Sequence, residues 1–396
     1  MFSKRTEWDT DESEMAQAYR ERRAQGLPVM DLTASNPTRA GFAYAEDLLA
    51  PLADARALDY DPNPKGSVAA REAVCRYYAE LGAEVDAEQV VLTTSTSEAY
   101  SYLFKLLCDP GDVVLAQQPS YPLFDFLARA ECVELEAAPL VYDFGWQLDV
   151  AELERRITPR TKALVLVHPN NPTGHFTKGA EAEEIGRVCR EHGVALIVDE
   201  VFLDYALMSG DEQDRETFLK RDIGVPVFVV SGISKICGLP QVKAAWIVAD
   251  GPGWREAMAR LEVVADTFLS MNAPVQRALP VWLERREEMQ GQIRERVVGN
   301  LAELDLQIAA SAARGEGLVS RLAVEGGWYV VLRIPATQLD EVTALELLDC
   351  GVWVHPGHFF GMAESGWLVV SLLAPLQEFA AGITELLSYL SGRYTV

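Results

Sequence analysis

Between residues 68 and 250 the chain alternates short apolar runs with longer segments of helical periodicity. The apolar runs, in chain order, are VVLTT, DVVLA, CVELEA, KALVLVH, VALIVDE, PVFVVSG and KAAWIVA. Runs rich in Val, Ile and Leu that are separated by helices are typical of a mainly parallel sheet covered by helices on both faces. The sequence therefore predicts an α/β fold whose large domain is a mainly parallel seven-stranded sheet between helices.

The alternation stops near residue 253. A charged stretch of helical period follows, with a break near Asn272, and the runs GWYVVLRIP, VWVHPG and WLVVSLLA then predict short strands beside helices. This pattern indicates a smaller α+β domain. We expect residues 1–48 to be an N-terminal segment joining the small domain, residues 49–273 to form the large domain, and residues 274–396 to form the small one.

The bulk properties exclude several classes of function. A net charge of −24 argues against binding to nucleic acid or to anionic membranes. No apolar stretch reaches the roughly 18 residues of a membrane span, and the N-terminus lacks the apolar core of a signal peptide. The six cysteines are scattered without paired spacing, so we expect reduced thiols in a cytoplasmic protein.

Polar residues follow four of the apolar runs, and ligands of open parallel sheets collect beyond the carboxyl ends of the strands. Residues 94–97, Thr-Ser-Thr-Ser, lead into a helix and suit a phosphate, although plain N-capping explains them as well. Residues 169–174, Pro-Asn-Asn-Pro-Thr-Gly, present side-chain amides or simply form a tight turn. Asp199 is either a buried carboxylate that needs a partner or an ordinary loop acid.

Lys235 follows the run PVFVVSG, close to the interior of the predicted sheet. A buried lysine is costly, but burial lowers its pKa and makes its amine a better nucleophile towards a carbonyl compound. The alternative is a solvated loop lysine. Together with the phosphate turn, the amide and the carboxylate, this lysine completes an ordered set that suits pyridoxal 5′-phosphate.

Three motifs carry a resemblance to a known family: Asn-Pro-Thr-Gly, then Asp-Glu-Val-Phe about 25 residues later, then Ser-Lys-x-x-Gly-Leu-Pro. In order and spacing they resemble the class I/II aminotransferases, pyridoxal-phosphate enzymes of fold type I. The resemblance extends from SNPT at residues 35–38 to the C-terminal WLVVSLLAP. It implies the transfer of an amino group between an amino acid, or an amine, and a keto acid through a Schiff base on Lys235.

The resemblance also implies roles for individual residues. Lys235 and Asp199 would be catalytic, as the proton-moving lysine and the partner of the pyridine nitrogen. The cofactor-binding residues that it implies are Ser95, Thr96, Tyr121, Asn171, Asp199, Lys235, Lys243 and Tyr60. The substrate-binding residues that it suggests are Ser35, Asn36, Arg39 and Arg333. Tyr60 matches a tyrosine that reaches the phosphate of the neighbouring subunit, so a homodimer is expected.

The chain departs from the family pattern at four positions. Gly232 stands where a serine is frequent, and Lys243 stands where an arginine binds the phosphate. Phe202 replaces a tyrosine that donates to the phenolic oxygen, with Tyr205 as a possible substitute. In the C-terminal Arg-x-Ser motif, Val369 replaces the arginine that holds the substrate α-carboxylate.

The missing arginine leaves two expectations open. Either Arg39 or Arg333 replaces it, or the substrate carries no carboxylate at that point. Other pyridoxal-phosphate reactions on the same fold, such as β-elimination, racemisation or decarboxylation, remain alternatives, and a non-catalytic effector-sensing domain ranks last. The pair His355-x-x-His358 lacks further ligands at suitable spacing, so no metal site is expected.

Overall fold

A computed structural model describes residues 1–207 and 212–394 of the chain. The strands are β1 Met30–Asp31, β2 Val90–Thr93, β3 Val113–Gln118, β4 Glu134–Tyr142, β5 Trp146–Leu148, β6 Thr161–Val167, β7 Ala195–Asp199, β8 Val227–Gly232, β9 Ala245–Asp250, β10 Ser320–Arg321, β11 Tyr329–Arg333, β12 Val352–Trp353, β13 His355–Pro356 and β14 Trp367–Ser371. The α-helices are α1 Glu14–Ala24, α2 Val68–Glu80, α3 Thr96–Leu107, α4 Leu123–Ala130, α5 Val150–Arg156, α6 Gly179–His192, α7 Ile233–Ile236, α8 Trp254–Phe268, α9 Ala273–Glu284, α10 Glu287–Ala313, α11 Asp340–Asp349 and α12 Leu376–Tyr394. Short 3₁₀ turns connect several of these elements.

The large sheet has the strand order β2-β9-β8-β7-β6-β3-β4-β5. The five central strands, β8, β7, β6, β3 and β4, are parallel to one another. Strands β9, β2 and β5 each pair antiparallel with their neighbours. The seven predicted strands are therefore present, and the sheet has an eighth, β5. This short strand forms a hairpin with β4, and its sequence gave no strong apolar run.

Both faces of the large sheet are buried, as its apolar strands require. Along β6, Leu164 and Leu166 face one layer, in which α2, α5, α6 and α9 supply the packing side chains. Ala163, Val165 and Val167 face the other layer, which α3, α4 and α8 cover. Alternate residues of one strand thus belong to opposite cores, and helices exclude water from both faces.

The smaller unit is built on the four-stranded antiparallel sheet β10-β11-β14-β13. Helices α10, α11 and α12 pack on it, and so does the N-terminal segment, because Met15 and Leu32 are buried in the same core. Helix α9 instead packs into the core of the large sheet. We therefore propose a boundary between α9 and α10, where the change of core occurs, in place of residue 274.

Side-chain caps mark the starts of two helices. Helix α1 begins at Glu14, because the Ser13 hydroxyl oxygen accepts the hydrogen bond from the Ala16 backbone N–H at 3.2 Å. The break near Asn272 is present, and the Asn272 side chain caps α9. Within residues 1–207 and 212–394, no helix combines the length and the apolar character that crossing a membrane requires.

Candidate active site

A cavity of about 270 Å³ lies beyond the carboxyl ends of β6, β7 and β8, against the first residue of β11. The cavity brings together most of the residues that the sequence singled out. Its lining includes Ser35, Ser95, Thr96, Ser97, Tyr100, Tyr121, Phe124, Asn171, Asp199, Phe202, Gly232, Ser234, Lys235, Lys243 and Tyr329. Tyr60, Asn36, Arg39 and Arg333 do not line it.

Lys235 stands on the short helix α7, directly after β8. Its Nζ lies 5.0 Å from the ring centroid of Trp328 and 5.6 Å from that of Phe202. Burial lowers the pKa of Lys235 to about 8, and the charge of Asp199 opposes this shift. The side chain is therefore an amine that gives up its proton easily.

Gly232, which stands where a serine was expected, is explained by a close approach between strands. A Cβ at this position would lie 2.9 Å from the carbonyl oxygen of Ala244 and 2.9 Å from the Cβ of Ala245. Strand β9 thus leaves no room for a side chain here. Glycine allows the end of β8, and with it Lys235, to approach the neighbouring strand.

Asp199 is the last residue of β7 and is 7% exposed. Its carboxylate accepts hydrogen bonds from the Tyr100 hydroxyl at 2.9 Å and from the Val201 backbone N–H at 3.1 Å. Burial raises the pKa of Asp199 to about 6, although both hydrogen bonds and the Lys235 charge oppose the shift. A buried carboxylate of this kind is stabilised by an additional cationic partner.

Asn171 lies in the turn that follows β6. The preceding Asn170 holds this turn, because its side-chain oxygen accepts from the Thr173 hydroxyl at 2.9 Å and its amide donates to Gln117 at 3.2 Å. Asn171 itself lines the cavity, and its buried side-chain oxygen has no hydrogen-bond partner among the described residues. Its amide is thus placed to meet a ligand.

The start of helix α3 forms another wall of the cavity. Ser95 caps this helix, since its hydroxyl oxygen accepts the Glu98 backbone N–H at 3.1 Å, and Thr96 and Ser97 also line the cavity. Lys243 faces the same cavity from the turn before β9. A helix N-terminus with hydroxyls and a lysine attracts a phosphate dianion.

The tyrosines singled out by the sequence occupy different environments. Tyr121 lines the cavity and is 47% exposed. Tyr60 is 79% exposed and lines a separate small cleft beside Tyr102. Tyr205 is buried, and its hydroxyl donates to the backbone oxygen of Lys235 at 2.7 Å. The suggestion that Tyr205 substitutes for the tyrosine missing at Phe202 is therefore wrong, because its hydroxyl is already engaged.

The substrate side of the cavity is poor in cations. Among the described residues that line it, Lys235 and Lys243 are the cationic ones. Arg39 is exposed, and so is Arg333, whose guanidinium lies 5.7 Å from the ring centroid of Trp367. Val369 is fully buried in the core of the small sheet.

Several residues of the site were absent from the sequence prediction. Tyr100 binds Asp199, Trp328 contacts Lys235, Ser234 lines the cavity, and Tyr329 lines it while hydrogen-bonding with Ser35. Tyr100 lies one helical turn after Thr96, so the start of α3 could have indicated it. Trp328 and Tyr329 come from the small domain and carried no local signal.

The chemistry of the cavity fits pyridoxal 5′-phosphate. The start of α3 and Lys243 suit the phosphate, and the side-chain N–H groups of Asn171, which lines the cavity, suit the phenolic oxygen. Asp199, buried with a raised pKa, matches a protonated pyridine nitrogen, and Lys235 is an amine of lowered pKa that suits the aldehyde. Each functional group of the cofactor thus has a counterpart in one cavity.

Comparison with known proteins finds similar sequences over most of the chain. The sequence model of the family described as aminotransferase class I and II matches residues 28–381. Alanine aminotransferase of Mycobacterium tuberculosis is 30% identical over 272 residues, which are 66% of this chain and 61% of that protein. The aspartate/prephenate aminotransferase of Thermus thermophilus is 28% identical over 346 residues, 86% of each chain. The chain thus spans less than two thirds of the first of these relatives.

Solved structures show the same fold. Alanine aminotransferase from Pyrococcus furiosus superposes with a TM-score of 0.86 at 22% identity, covering 99% of this chain and 100% of that one. Aspartate aminotransferase from Thermus thermophilus with maleate gives 0.80 at 24% identity, covering 98% and 100%. At these identities the likeness concerns the fold, which is fold type I.

The lowered pKa of Lys235 predicts how the cofactor-free protein captures pyridoxal phosphate. Only the neutral amine attacks an aldehyde, so the rate should rise with pH up to about 8 and level off above it, instead of rising towards the ordinary lysine value of 10.5. Stopped-flow absorbance at visible wavelengths measures this rate. Borohydride reduction and peptide mapping should place the label on Lys235, and Lys235→Ala should show no band. A rate that still climbs at pH 10, or a label on another lysine, would contradict the assignment.

Proposed function

The chain belongs to the aminotransferase class I and II family, and on that premise we propose that it is a pyridoxal-phosphate-dependent transaminase. It moves an amino group between an amino acid, or an amine, and a keto acid, with Lys235 as the residue that bonds the cofactor. The observation that carries the proposal is the single cavity in which Lys235, Asp199, Asn171 and the start of α3 meet. Family membership supports the same reaction type.

When bound, pyridoxal phosphate supplies an aldehyde for amines and a protonated ring that withdraws electrons from the carbon bearing the amine. Asp199 would keep the ring nitrogen protonated, since its buried carboxylate would gain a cationic partner in addition to Lys235. The amide of Asn171 donates to the phenolic oxygen. The helix N-terminus at Ser95, together with Lys243, anchors the phosphate, so the ring is held at both ends.

Lys235 has two tasks in this scheme. It would hold the cofactor between turnovers, and during a turnover its Nζ would take a proton from the substrate carbon and return it. Burial favours the neutral amine, which a base requires. The rings of Phe202 and Trp328 beside Nζ keep the surroundings apolar and exclude water from the proton path.

A panel of amino acids and amines tests the reaction. Conversion of the bound cofactor to its amine form, with release of a keto product, supports transamination, whereas turnover with the aldehyde form retained indicates elimination or decarboxylation.

Asp199→Ala should retain the cofactor but lower turnover by about a thousandfold, because the ring nitrogen loses its electrostatic partner. Asp143→Asn, in the exposed β4–β5 turn, is the matched control. Near-normal turnover in Asp199→Ala would show that this carboxylate has only a structural role.

The substrate half of the site calls for a separate proposal. Because neither Arg39 nor Arg333 lines the cavity, we propose that the amino donor is an unusual amino acid or an amine on a larger metabolite, held without an arginine–carboxylate contact. Val369 agrees with this view, because it is buried in the core of the small sheet and brings no cationic side chain to the cavity.

Because Val369 is fully buried, Val369→Arg must first be shown to fold and to bind pyridoxal phosphate. Turnover of simple α-amino acids by the folded variant should then improve, because a guanidinium that reaches the cavity can bind a carboxylate through two hydrogen bonds. Val369→Met, of similar length without charge, is the control. The measurement is kcat/KM for alanine, aspartate and glutamate. High efficiency of the wild type with aspartate or glutamate, unchanged in Arg39→Ala and Arg333→Ala, would contradict this account of the substrate pocket.

We further propose a homodimer with composite active sites, in the cytoplasm. The exposed apolar residues near Tyr60 support the dimer: Leu58, Tyr60 and Phe268 are between 50% and 88% exposed, and Phe268 stacks on Tyr102, which lines the same cleft as Tyr60. Such a patch is typical of a protein interface. The six free cysteines agree with a reducing compartment.

Complementation tests the composite site. Lys235→Ala and Tyr60→Phe should each be inactive, and mixing them should restore part of the activity, because subunit exchange creates one site with both native residues. Each variant mixed with itself is the control. Activity is measured with the amine panel, and mass by sedimentation. A fully active monomer would rule out the dimer.

A further inference from the structure

Three chain segments cross behind the cavity, and each leads to a residue of the site. They are the exit of the Asn171 turn, the segment after Asp199, and residues 325–327, which precede β11. The backbone N–H groups of Glu325 and Gly326 donate to the Gly174 oxygen at 3.2 and 3.0 Å. On the other side, Leu207 N–H donates to the Glu325 oxygen at 2.8 Å. The small domain is thus tied to two loops of the large domain at one point.

The crossing leaves no space for side chains. A Cβ on Gly174, whose φ is +70°, would lie 2.4 Å from Val324 Cγ2 and 2.6 Å from the Gly326 oxygen. A Cβ on Gly326 would lie 2.6 Å from the ring of Phe176. Because backbone and ring atoms surround both glycines, the segments cannot slide past one another without breaking contacts.

The Glu325 side chain adds an electrostatic tie. Its carboxylate accepts the Phe176 backbone N–H at 3.0 Å and pairs with the Lys178 ammonium. Buried His175 lies beside it, with Nδ1 at 3.9 Å from this carboxylate and Nε2 at 3.1 Å from the carboxylate of Glu181. Glu325 therefore clamps residues 174–178, the exit of the turn that carries Asn171.

The same segment reaches the cavity at its other end. Trp328 follows two residues after Gly326 and lies 5.0 Å from the Lys235 Nζ. Tyr329 comes next, lines the cavity and hydrogen-bonds with Ser35. Five consecutive residues, from Glu325 to Tyr329, thus connect the Asn171 turn with the surroundings of Lys235 and with the substrate side.

We propose that Glu325 is a positioning residue, which holds the Asn171 amide in a fixed relation to Lys235 and Tyr329. This inference rests on the proposed function, since it assigns Asn171 to the cofactor's phenolic oxygen. Without the carboxylate, the turn exit loses its bonds to Phe176 and Lys178 and gains freedom to move. The amide of Asn171 is then a poorer donor, while Lys235 and Asp199 stay in place.

Glu325→Ala is the first test, with Glu134→Ala as the matched control, because Glu134 forms an exposed ion pair with Arg160 on the far strands. In the cofactor-free protein, hydrogen–deuterium exchange of residues 168–178 should increase in Glu325→Ala and not in the control. The dissociation constant of pyridoxal phosphate should rise about tenfold. The pH midpoint of the bound cofactor's visible band should move upward, because a weaker donor stabilises the phenolic oxygen's negative charge less.

Glu325→Gln should recover part of each effect, since its amide oxygen still accepts from Phe176. Lys178→Ala keeps the carboxylate and serves as a second variant if Glu325→Ala does not fold. If Glu325→Ala exchanges faster but its cofactor affinity and pH midpoint are unchanged, Glu325 has only a structural role and the proposal is wrong. Unchanged hydrogen–deuterium exchange in Glu325→Ala would also overturn it. A wild-type protein that binds pyridoxal phosphate but transfers no amino group would count against the proposed function, and the exchange and affinity results would remain interpretable.

Discussion

The site depends on the parallel alignment of three neighbouring strands. Strands β6, β7 and β8 end at Val167, Asp199 and Gly232, and their register places these ends at one edge of the sheet. Residues about 30 positions apart in the chain therefore meet in a single cavity. The apolar strands hold this edge rigidly, because both sheet faces are packed with helices. Neither the amide turn nor the lysine could be positioned so closely by a loop alone.

Burial then determines the charges at this edge. Asp199 and Lys235 are both withdrawn from water, and their pKa values of about 6 and about 8 have each moved towards the neutral form. The site therefore favours a ligand that brings a positively charged ring nitrogen to the Asp199 carboxylate and an aldehyde to the neutral amine of Lys235. The same low-polarity surroundings disfavour both charges, since they raise the pKa of the Asp199 carboxyl and lower the pKa of the Lys235 ammonium.

The sequence predicted those parts of the protein that depend on local signals. Asn171, Asp199 and Lys235 each lie at or just beyond the carboxyl end of an apolar strand, so periodicity and strand ends were enough to bring them together. Trp328 and Tyr329 depend on how a second domain docks, which no local pattern specifies. Strand β5 was outside the prediction because it is too short to give a periodic signal. The change of core after α9 was outside it because an amphipathic helix gives the same sequence pattern in either domain.

Lys243 shows what this arrangement requires of the backbone. Its φ of 58° and ψ of 74° lie in the left-handed region, which costs a side-chain-bearing residue about 1 kcal/mol or more. Glycine would adopt the same turn without strain, but it would bring no charge to the anion end of the cavity. Folding stability and ligand binding thus make opposite demands on one residue. Lys243 thus marks a place where the chain is less stable than a glycine would make it, in exchange for a cationic side chain in the cavity.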